Sequence, residues 1–299
     1  MNSLISLVTR NIKIFYRTKG NIFFSMLSII ILVALHFAIF RDMSTDNWVA
    51  ITSQTSGFMI SREYLNWLVD SLMFSAIIPI GAVTISLITL GIMVADKEHN
   101  VLSDFLVSPI RRNTLLASYL VSSFVIGFVS LSLFTIFFQI YFWFMYGISF
   151  SILQFVFITI AKIGSLVFSN VFILLLISFV KKQESLSGLG AIIGTLVGFL
   201  TGAYIPIGMF GEIIGNILSA LPFFQLTVLT RIAFLYEIEI VTPFTYEILS
   251  SDISRNFGME IWVGDNLISA WGAVFITGGI TLILLVVLIT RFSKMKKAD

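Results

Sequence analysis

Six long apolar stretches dominate this sequence, at residues 21–40, 66–94, 113–145, 151–180, 186–204 and 267–290. A helix needs about 20 mostly apolar residues to cross the roughly 30 Å hydrocarbon core of a bilayer. The chain is 58% hydrophobic and 11% charged, whereas a soluble domain carries roughly 45–50% apolar and about 25% charged residues. We therefore predict an all-α polytopic membrane protein with six transmembrane helices, in which residues 1–299 form a single transmembrane domain.

Basic residues are distributed unevenly between the two sides of these spans. Thirteen of the 18 Lys and Arg residues fall in the two terminal segments and in the loops 95–112 and 181–185. Eleven of the 16 Asp and Glu residues fall on the other side, in 41–70 and 205–266. Because cytoplasmic loops carry the excess of Lys and Arg, we expect a multi-pass protein with both termini in the cytoplasm.

The first 19 residues have the pattern of an amphipathic helix. Arg10, Lys13 and Arg17 recur at helical spacing on one side, and Ile12 and Phe15 lie on another. This pattern predicts an in-plane helix at the inner membrane surface, with its cations near anionic headgroups. A cleaved signal peptide is not expected, because no A-x-A-like site is present. A basic flank that only orients the first span is the alternative.

The sequence lacks the common motifs of nucleotide hydrolysis and metal-dependent catalysis. It has no G-x-x-x-x-G-K-[ST] loop, no H-E-x-x-H and no G-x-S-x-G, and it contains no Cys and two His. A formal charge of +2 gives no case for nucleic acid binding. We therefore predict no catalytic residues, no metal site and no enzyme activity for this chain.

Lys162 is the charged residue nearest the middle of a predicted span. An ion-coupled carrier usually places ionisable residues deep in its spans, and no Asp or Glu occupies the middle of any predicted span. Lys162 is therefore a candidate intramembrane charge, with a structural or interface role and a role in ion transfer both open.

The cytoplasmic segment 96–110 is the most informative stretch of the chain. Leu102, Phe105 and Leu106 follow the i, i+3, i+4 spacing, which gives a short helix one apolar face. Pro109 ends that helix, because the residue before a proline is pushed out of the helical region. A short amphipathic helix between two spans suits docking into a groove of another protein. An interfacial loop that rests on lipid is the alternative.

This segment resembles the cytoplasmic motif of the type-2 ABC exporter permeases, the membrane subunits of bacterial drug, antibiotic or toxin exporters. The matching runs are Asp96-Lys97-Glu98-His99-Asn100-Val101-Leu102, with Asn100 where glycine is common, and Phe105-Leu106-Val107-Ser108-Pro109-Ile110. A second resemblance follows the fifth span, in Thr201-Gly202-Ala203-Tyr204-Ile205-Pro206-Ile207 and the later Leu221-Pro222. The order of these motifs, together with the six spans, extends the resemblance over nearly the whole chain.

Pro206 predicts that the fifth span breaks at the outer surface, since proline cannot continue a regular helix without losing a hydrogen bond. Residues 208–220 remain apolar but are too few to cross the bilayer. We expect a re-entrant outer helix that turns back at Pro222, within an outer segment 205–266. The acidic residues of 237–265 predict a solvated lobe, with a trap for a cationic substrate as the alternative.

The resemblance implies partners and residue roles. It implies two copies of a separate ABC ATPase subunit that bind the ATP and Mg, a second permease copy (as homodimer or heterodimer), the lipid bilayer, and the bacterial cytoplasmic (plasma) membrane. The implied ATPase-docking residues, in the coupling helix and the loop after the fourth span, are Asp96, Lys97, Glu98, His99, Leu102, Phe105, Leu106, Pro109, Lys181, Lys182 and Glu184. The implied pathway and gate residues are Met73, Phe74, Ile77, Ile78, Thr84, Ile192, Ile193, Phe199, Tyr204 and Pro206.

The expected function is outward transport of a hydrophobic or amphipathic substrate, because the prospective pathway residues are mainly apolar. Within the family this means a drug, antibiotic, peptide or lipid-like toxin. Export of a polysaccharide or lipid-linked glycan by the same family is an alternative. An ion-coupled secondary carrier and a membrane scaffold without transport are alternatives from other classes.

Overall fold

The computed structural model describes residues 2–55, 61–108, 110–205, 207–236 and 258–294. Its helices are α1 (Asn2–Arg17), α2 (Lys19–Leu35), a π-helical turn (His36–Phe40), α3 (Arg41–Thr55), α4 (Arg62–Glu98), α5 (Val101–Val107), α6 (Arg112–Tyr146), α7 (Ile152–Ile177), α8 (Gln183–Leu200), a 3-10 turn (Ile207–Phe210), α9 (Glu212–Ala220), α10 (Pro222–Phe234) and α11 (Ala270–Lys294). Two short strands, β1 (Ile261–Val263) and β2 (Asn266–Ile268), precede α11.

Six helices in the described part of the chain are long and apolar enough to cross a membrane. They are Lys19–Ala50, Arg62–Glu98, Arg112–Tyr146, Ile152–Ile177, Gln183–Leu200 and Ala270–Ser293. This confirms a helical polytopic membrane protein. The pair α9 and α10, bent by 79° at its break, would make a seventh span if counted as one. The in-plane orientation of α1 and the re-entrant course of α9 and α10 stay predictions.

The hairpin of β1 and β2 departs from the all-helical expectation. The strands are antiparallel, with Ile261 opposite Ile268. Gly264 lies in the turn with φ of 62°, a left-handed conformation that glycine adopts without strain. Strand β1 lies in the predicted outer segment 205–266, and β2 continues into the start of the predicted sixth span. Most of the acidic stretch 237–265 lies outside the described residues.

Helix α4 is the centre of the bundle. In its most apolar window 89% of the residues are buried, against 22% for the first span and 17% for α8. It packs against α2, α3, α6, α7, α8 and α10. A Cβ atom built on Gly81 would lie 2.7 Å from Leu131 of α6 and 2.9 Å from Ile29 of α2. The absent side chain therefore lets three helices approach closely.

Two spans end at positions that differ from the sequence-based boundaries. The first helix does not stop at Phe40 but continues through the π-helical turn to Thr55, because residues 41–55 contain no Gly or Pro that would end it. The fifth helix ends at Leu200, before Pro206, which itself lies outside the described residues. Gly202 has φ of 65°, a left-handed conformation that ends the helix before the proline is reached.

Candidate functional site

The α5 end of the bundle is held together around the carboxylate of Asp96, near the end of α4. Arg10 of α1 donates two hydrogen bonds to it, at 2.8 and 2.5 Å, and the hydroxyl of Tyr119 of α6 donates a third at 2.6 Å. A bidentate pair of this kind is stronger and more directional than a single contact. The hydrogen bonds that Arg10 donates to Asp96 hold the pKa of Arg10 above its ordinary value. One acidic residue thus joins three helices.

The two residues that follow Asp96 also make contacts within the chain. The Lys97 ammonium donates to the carbonyls of Ile177, Ser178 and Val180, where α7 ends. A cation at the carboxyl end of a helix satisfies its free carbonyls and its dipole. Glu98 accepts a hydrogen bond of 2.9 Å from the backbone N–H of Gln183, at the start of α8. A carboxylate there satisfies a free N–H group.

The predicted docking residues therefore divide into two groups. Asp96, Lys97 and Glu98 make these internal contacts, and Leu102 is buried with 4% of its surface exposed. Phe105 is half-buried and lies under the Arg10 guanidinium, whose carbon is 5.2 Å from the ring centre.

The second group faces outward at the same end. It consists of His99, Lys181, Lys182 and Glu184. Val107, the last residue of α5, exposes 72% of its surface and was not among the predicted docking positions. The side chain of Leu106 and the whole of Pro109 lie outside the described part of the structure. We call these four exposed residues, together with Val107, the α5 surface.

Lys162 lies inside the bundle on α7, with 3% of its surface exposed. Its ammonium donates to the Ser132 hydroxyl of α6 at 2.9 Å and lies 5.0 Å from the centre of the Phe128 ring. These contacts connect α7 to α6. A structural role and a role in ion transfer for Lys162 both stay predictions.

The predicted pathway residues fall into different surroundings. Those on α4 belong to the core: Phe74, Ile77, Ile78, Met73 and Thr84 are all buried. Thr84 accepts a hydrogen bond of 3.2 Å from Ser28 of α2. On α8, Ile192 is 59% exposed and Ile193 and Phe199 are partly buried. The α4 and α8 residues thus differ in exposure, and their role in a pathway stays a prediction.

A second buried carboxylate, Asp70, lies near the start of α4. Asp70 is fully buried, with 0% of its surface exposed. Its Oδ1 lies 2.7 Å from His36 Nε2 and 3.2 Å from Arg41 Nε. Its Oδ2 accepts hydrogen bonds from the hydroxyls of Tyr141 at 2.7 Å and Tyr146 at 2.5 Å. These five residues are named the Asp70 cluster. No sequence pattern marks this cluster, because its members come from three helices far apart in the chain and share no spacing.

A cavity of about 580 Å³ lies beside the Asp70 cluster. One wall comes from the first span and α3, a second from Val69, Leu72 and Met73 of α4, and a third from the break between α8 and α9, which includes Tyr204. His36 belongs to both the cluster and the cavity wall. Met73 and Tyr204, two predicted pathway residues, therefore meet in one cavity.

A larger cavity of about 750 Å³ lies between α7, α10 and α11. Its walls are mostly apolar, with Phe157, Ile160 and Leu226 among them. Among the residues that the structure describes, no group of three or more His, Asp and Glu side chains could hold a metal ion.

Comparisons of the chain with protein-family models, curated proteins and solved structures give no match. The fold itself defines the class, a helical protein with several membrane spans.

Proposed function

We propose that this chain is the membrane-spanning permease subunit of an ATP-driven exporter, energised by separate ATPase subunits. In this proposal the chain pairs with a second permease copy in the bacterial cytoplasmic membrane, with both termini in the cytoplasm. The cargo is a hydrophobic or amphipathic molecule that moves outward. The proposal rests on the sequence resemblance and on one observation, the α5 surface.

The α5 surface has the form of a docking site. A short helix between two spans presents an exposed Val107, and the next connection exposes Lys181, Lys182 and Glu184. The hydrogen bond between Glu98 and Gln183 holds the two connections together. Exposed apolar and charged residues on two connections that are joined in this way suit a partner protein with a complementary groove.

The contacts behind the α5 surface explain how docking could move the bundle. Any force on α5 reaches the end of α4, and from there Asp96 connects to α1 and α6, Lys97 to α7, and Glu98 to α8. A partner can drive such a change only if it binds two arrangements of this end with different affinities. ATP binding and hydrolysis in the partner ATPase would supply that difference.

The docking step is tested by capture of an ATPase. The tagged chain is purified from its native membranes into nanodiscs, and the co-purifying ATPase activity is measured. Val107→Asp places a charge in the docking surface, and we expect at least about a tenfold loss of captured activity, because a central interface residue is worth roughly 2 kcal/mol or more. Ile152→Asp is the matched control, since Ile152 is 85% exposed at the start of α7, at the other end of the bundle.

Equal capture by Val107→Asp, Ile152→Asp and the unmodified chain would contradict the docking assignment. Transport by the purified chain in proteoliposomes without any ATPase would contradict the proposal as a whole.

One observation favours a second candidate function, an ion-coupled carrier. The buried pair of His36 and Asp70 lies within two candidate spans, and ionisable residues in spans often belong to ion pathways. The same proteoliposomes separate the two functions. A carrier would transport with an imposed proton gradient and no nucleotide, whereas an exporter subunit requires the ATPase and ATP.

A further inference from the structure

The cavity beside the Asp70 cluster has one continuous helical face as its first wall. His36, Phe40, Met43, Ser44 and Asn47 all line it. The π-helical turn His36–Phe40 lies where this face begins. A π-turn adds a residue to the helix and re-aims the side chains that follow, and such turns are frequent at functional sites.

The walls of this cavity are fixed by contacts behind them. His36 is held by Asp70, and the hydroxyl of Thr45 donates a hydrogen bond of 2.8 Å to Asn66, which ties α3 to α4. On the opposite wall the Tyr204 ring lies against Gly198, where an added Cβ would collide with the ring. A cavity with such fixed walls is pre-formed, so a ligand spends little free energy on ordering it.

The lining of the cavity combines adaptable apolar groups with a few polar ones. Met43, Met73 and Met209 contribute thioether side chains, and Trp48 and Tyr204 contribute aromatic rings. Methionine adapts its shape and makes favourable sulfur contacts with aromatic rings. Ser44 and Asn47 supply hydrogen-bonding groups. Arg231 of α10 also lines the cavity, and its guanidinium donates hydrogen bonds to the carbonyls of Gly258 and Gly202. A volume of about 580 Å³ is that of a site for a drug-sized molecule.

We propose that this cavity is a binding site for an apolar, aromatic molecule of drug-like size that carries a hydrogen-bonding group. The thioethers and rings hold the apolar body, and Ser44 and Asn47 orient the polar group. The 750 Å³ cavity between α7, α10 and α11 has mostly apolar walls, which favours the smaller cavity for such a ligand.

Binding in the cavity is independent of any ATPase. A role for the site as the last station of cargo before release rests on the proposed exporter function. If the unmodified chain captures no ATPase but binds the ligand, the exporter alone is refuted. If it captures the ATPase but does not bind the ligand, the binding site alone is refuted.

The test uses N-phenyl-1-naphthylamine, an uncharged aromatic amine that fluoresces in apolar surroundings. The full chain contains no Cys, so Ser44→Cys and Asp46→Cys each carry a single thiol. The thiol of Ser44→Cys lies in the cavity wall, and that of Asp46→Cys is exposed on the same helix. In nanodiscs, the rate of alkylation by a maleimide is measured with and without the dye. We expect the dye to slow alkylation of Ser44→Cys at least about tenfold, which corresponds to 1.4 kcal/mol, and to leave Asp46→Cys unchanged.

A filled cavity provides the second measurement. Ala203→Leu, added to Ser44→Cys, places extra carbon atoms in the cavity wall and is expected to abolish protection, whereas Ala191→Leu on the exposed side of α8 is the matched control. Equal alkylation of Ser44→Cys with and without dye, or protection that persists in Ala203→Leu, overturns the proposal. If the Ala203→Leu chain does not fold, the comparison of the two thiols decides alone.

Discussion

Replacing Asp70 by Ala should destabilise the chain more than any comparable change at an exposed acid. The carboxylate has four partners: two hydroxyls, His36 and Arg41. Asp70→Ala leaves these groups without their acceptor inside the bundle. Because they come from the first span and α6, the change also weakens the connection of both to α4.

The magnitude follows from the burial of the cluster. Each hydrogen bond to a charged group contributes about 1.5–3 kcal/mol, and a simple sum over four partners would overshoot because such contributions are not additive. Removing one member of a buried ion pair costs about 3–5 kcal/mol. The Arg41 side chain keeps 20% exposure, so water can solvate part of its charge, and the loss should stay within that range.

The assay is thermal unfolding of the purified chain in nanodiscs. A loss of about 3–5 kcal/mol lowers Tm by roughly 6–20 °C, at about 2–4 °C per kcal/mol for a chain of this size class. Asp42→Ala is the matched control, because Asp42 is 77% exposed and lies 3.9 Å from an exposed Arg62. Exposed pairs contribute about 0–1 kcal/mol. Equal Tm shifts for the two variants would refute the assignment of the Asp70 cluster as a connection between helices.

Two further predictions concern close packing and the buried lysine. Gly198→Ala should lower Tm, because the new methyl group collides with Tyr204 and overpacking costs about 1–3 kcal/mol. Gly194→Ala, where nothing lies within 4 Å, should raise Tm slightly through helix propensity. Lys162→Met should leave Tm unchanged or raise it, since an apolar residue of similar volume often replaces a buried charge without cost. A large loss of Tm in Lys162→Met would show that the bond to Ser132 stabilises the bundle.

The membrane spans were predictable because a long apolar run has few other stable folds. The ends of the spans were less predictable. Pro206 is a strong helix breaker, yet α8 ends at Leu200 because Gly202 leaves the helical conformation first. The continuation of the first helix to Thr55 follows from the absence of a stop signal, which a hydropathy profile does not register.

The candidate site was only partly predictable for a related reason. The sequence predicts that the charges of the 96–110 segment form a docking surface, but Asp96, Lys97 and Glu98 satisfy groups within the chain. Spacing along one segment shows which residues share a face. It does not show which of them meet α1, α7 or α8, because those partners are distant in sequence. For the same reason the Asp70 cluster left no pattern to detect.

The two buried carboxylates of α4 lie toward its opposite ends and contact different helices. Asp70 and Asp96 are 26 positions apart, so at 1.5 Å per residue they lie roughly 39 Å apart along one helix. Between them Pro79 lacks an N–H group, and the helix loses one hydrogen bond there. Under the proposed function, a partner on the α5 surface moves the end of α4 that carries Asp96. The other end carries Val69, Leu72 and Met73 of the cavity wall. One helix would then form both the docking end and one wall of the cavity. A shift of α4 would therefore change the shape of the cavity, unless the helix bends at Pro79. The contacts of the Asp70 cluster oppose such a shift.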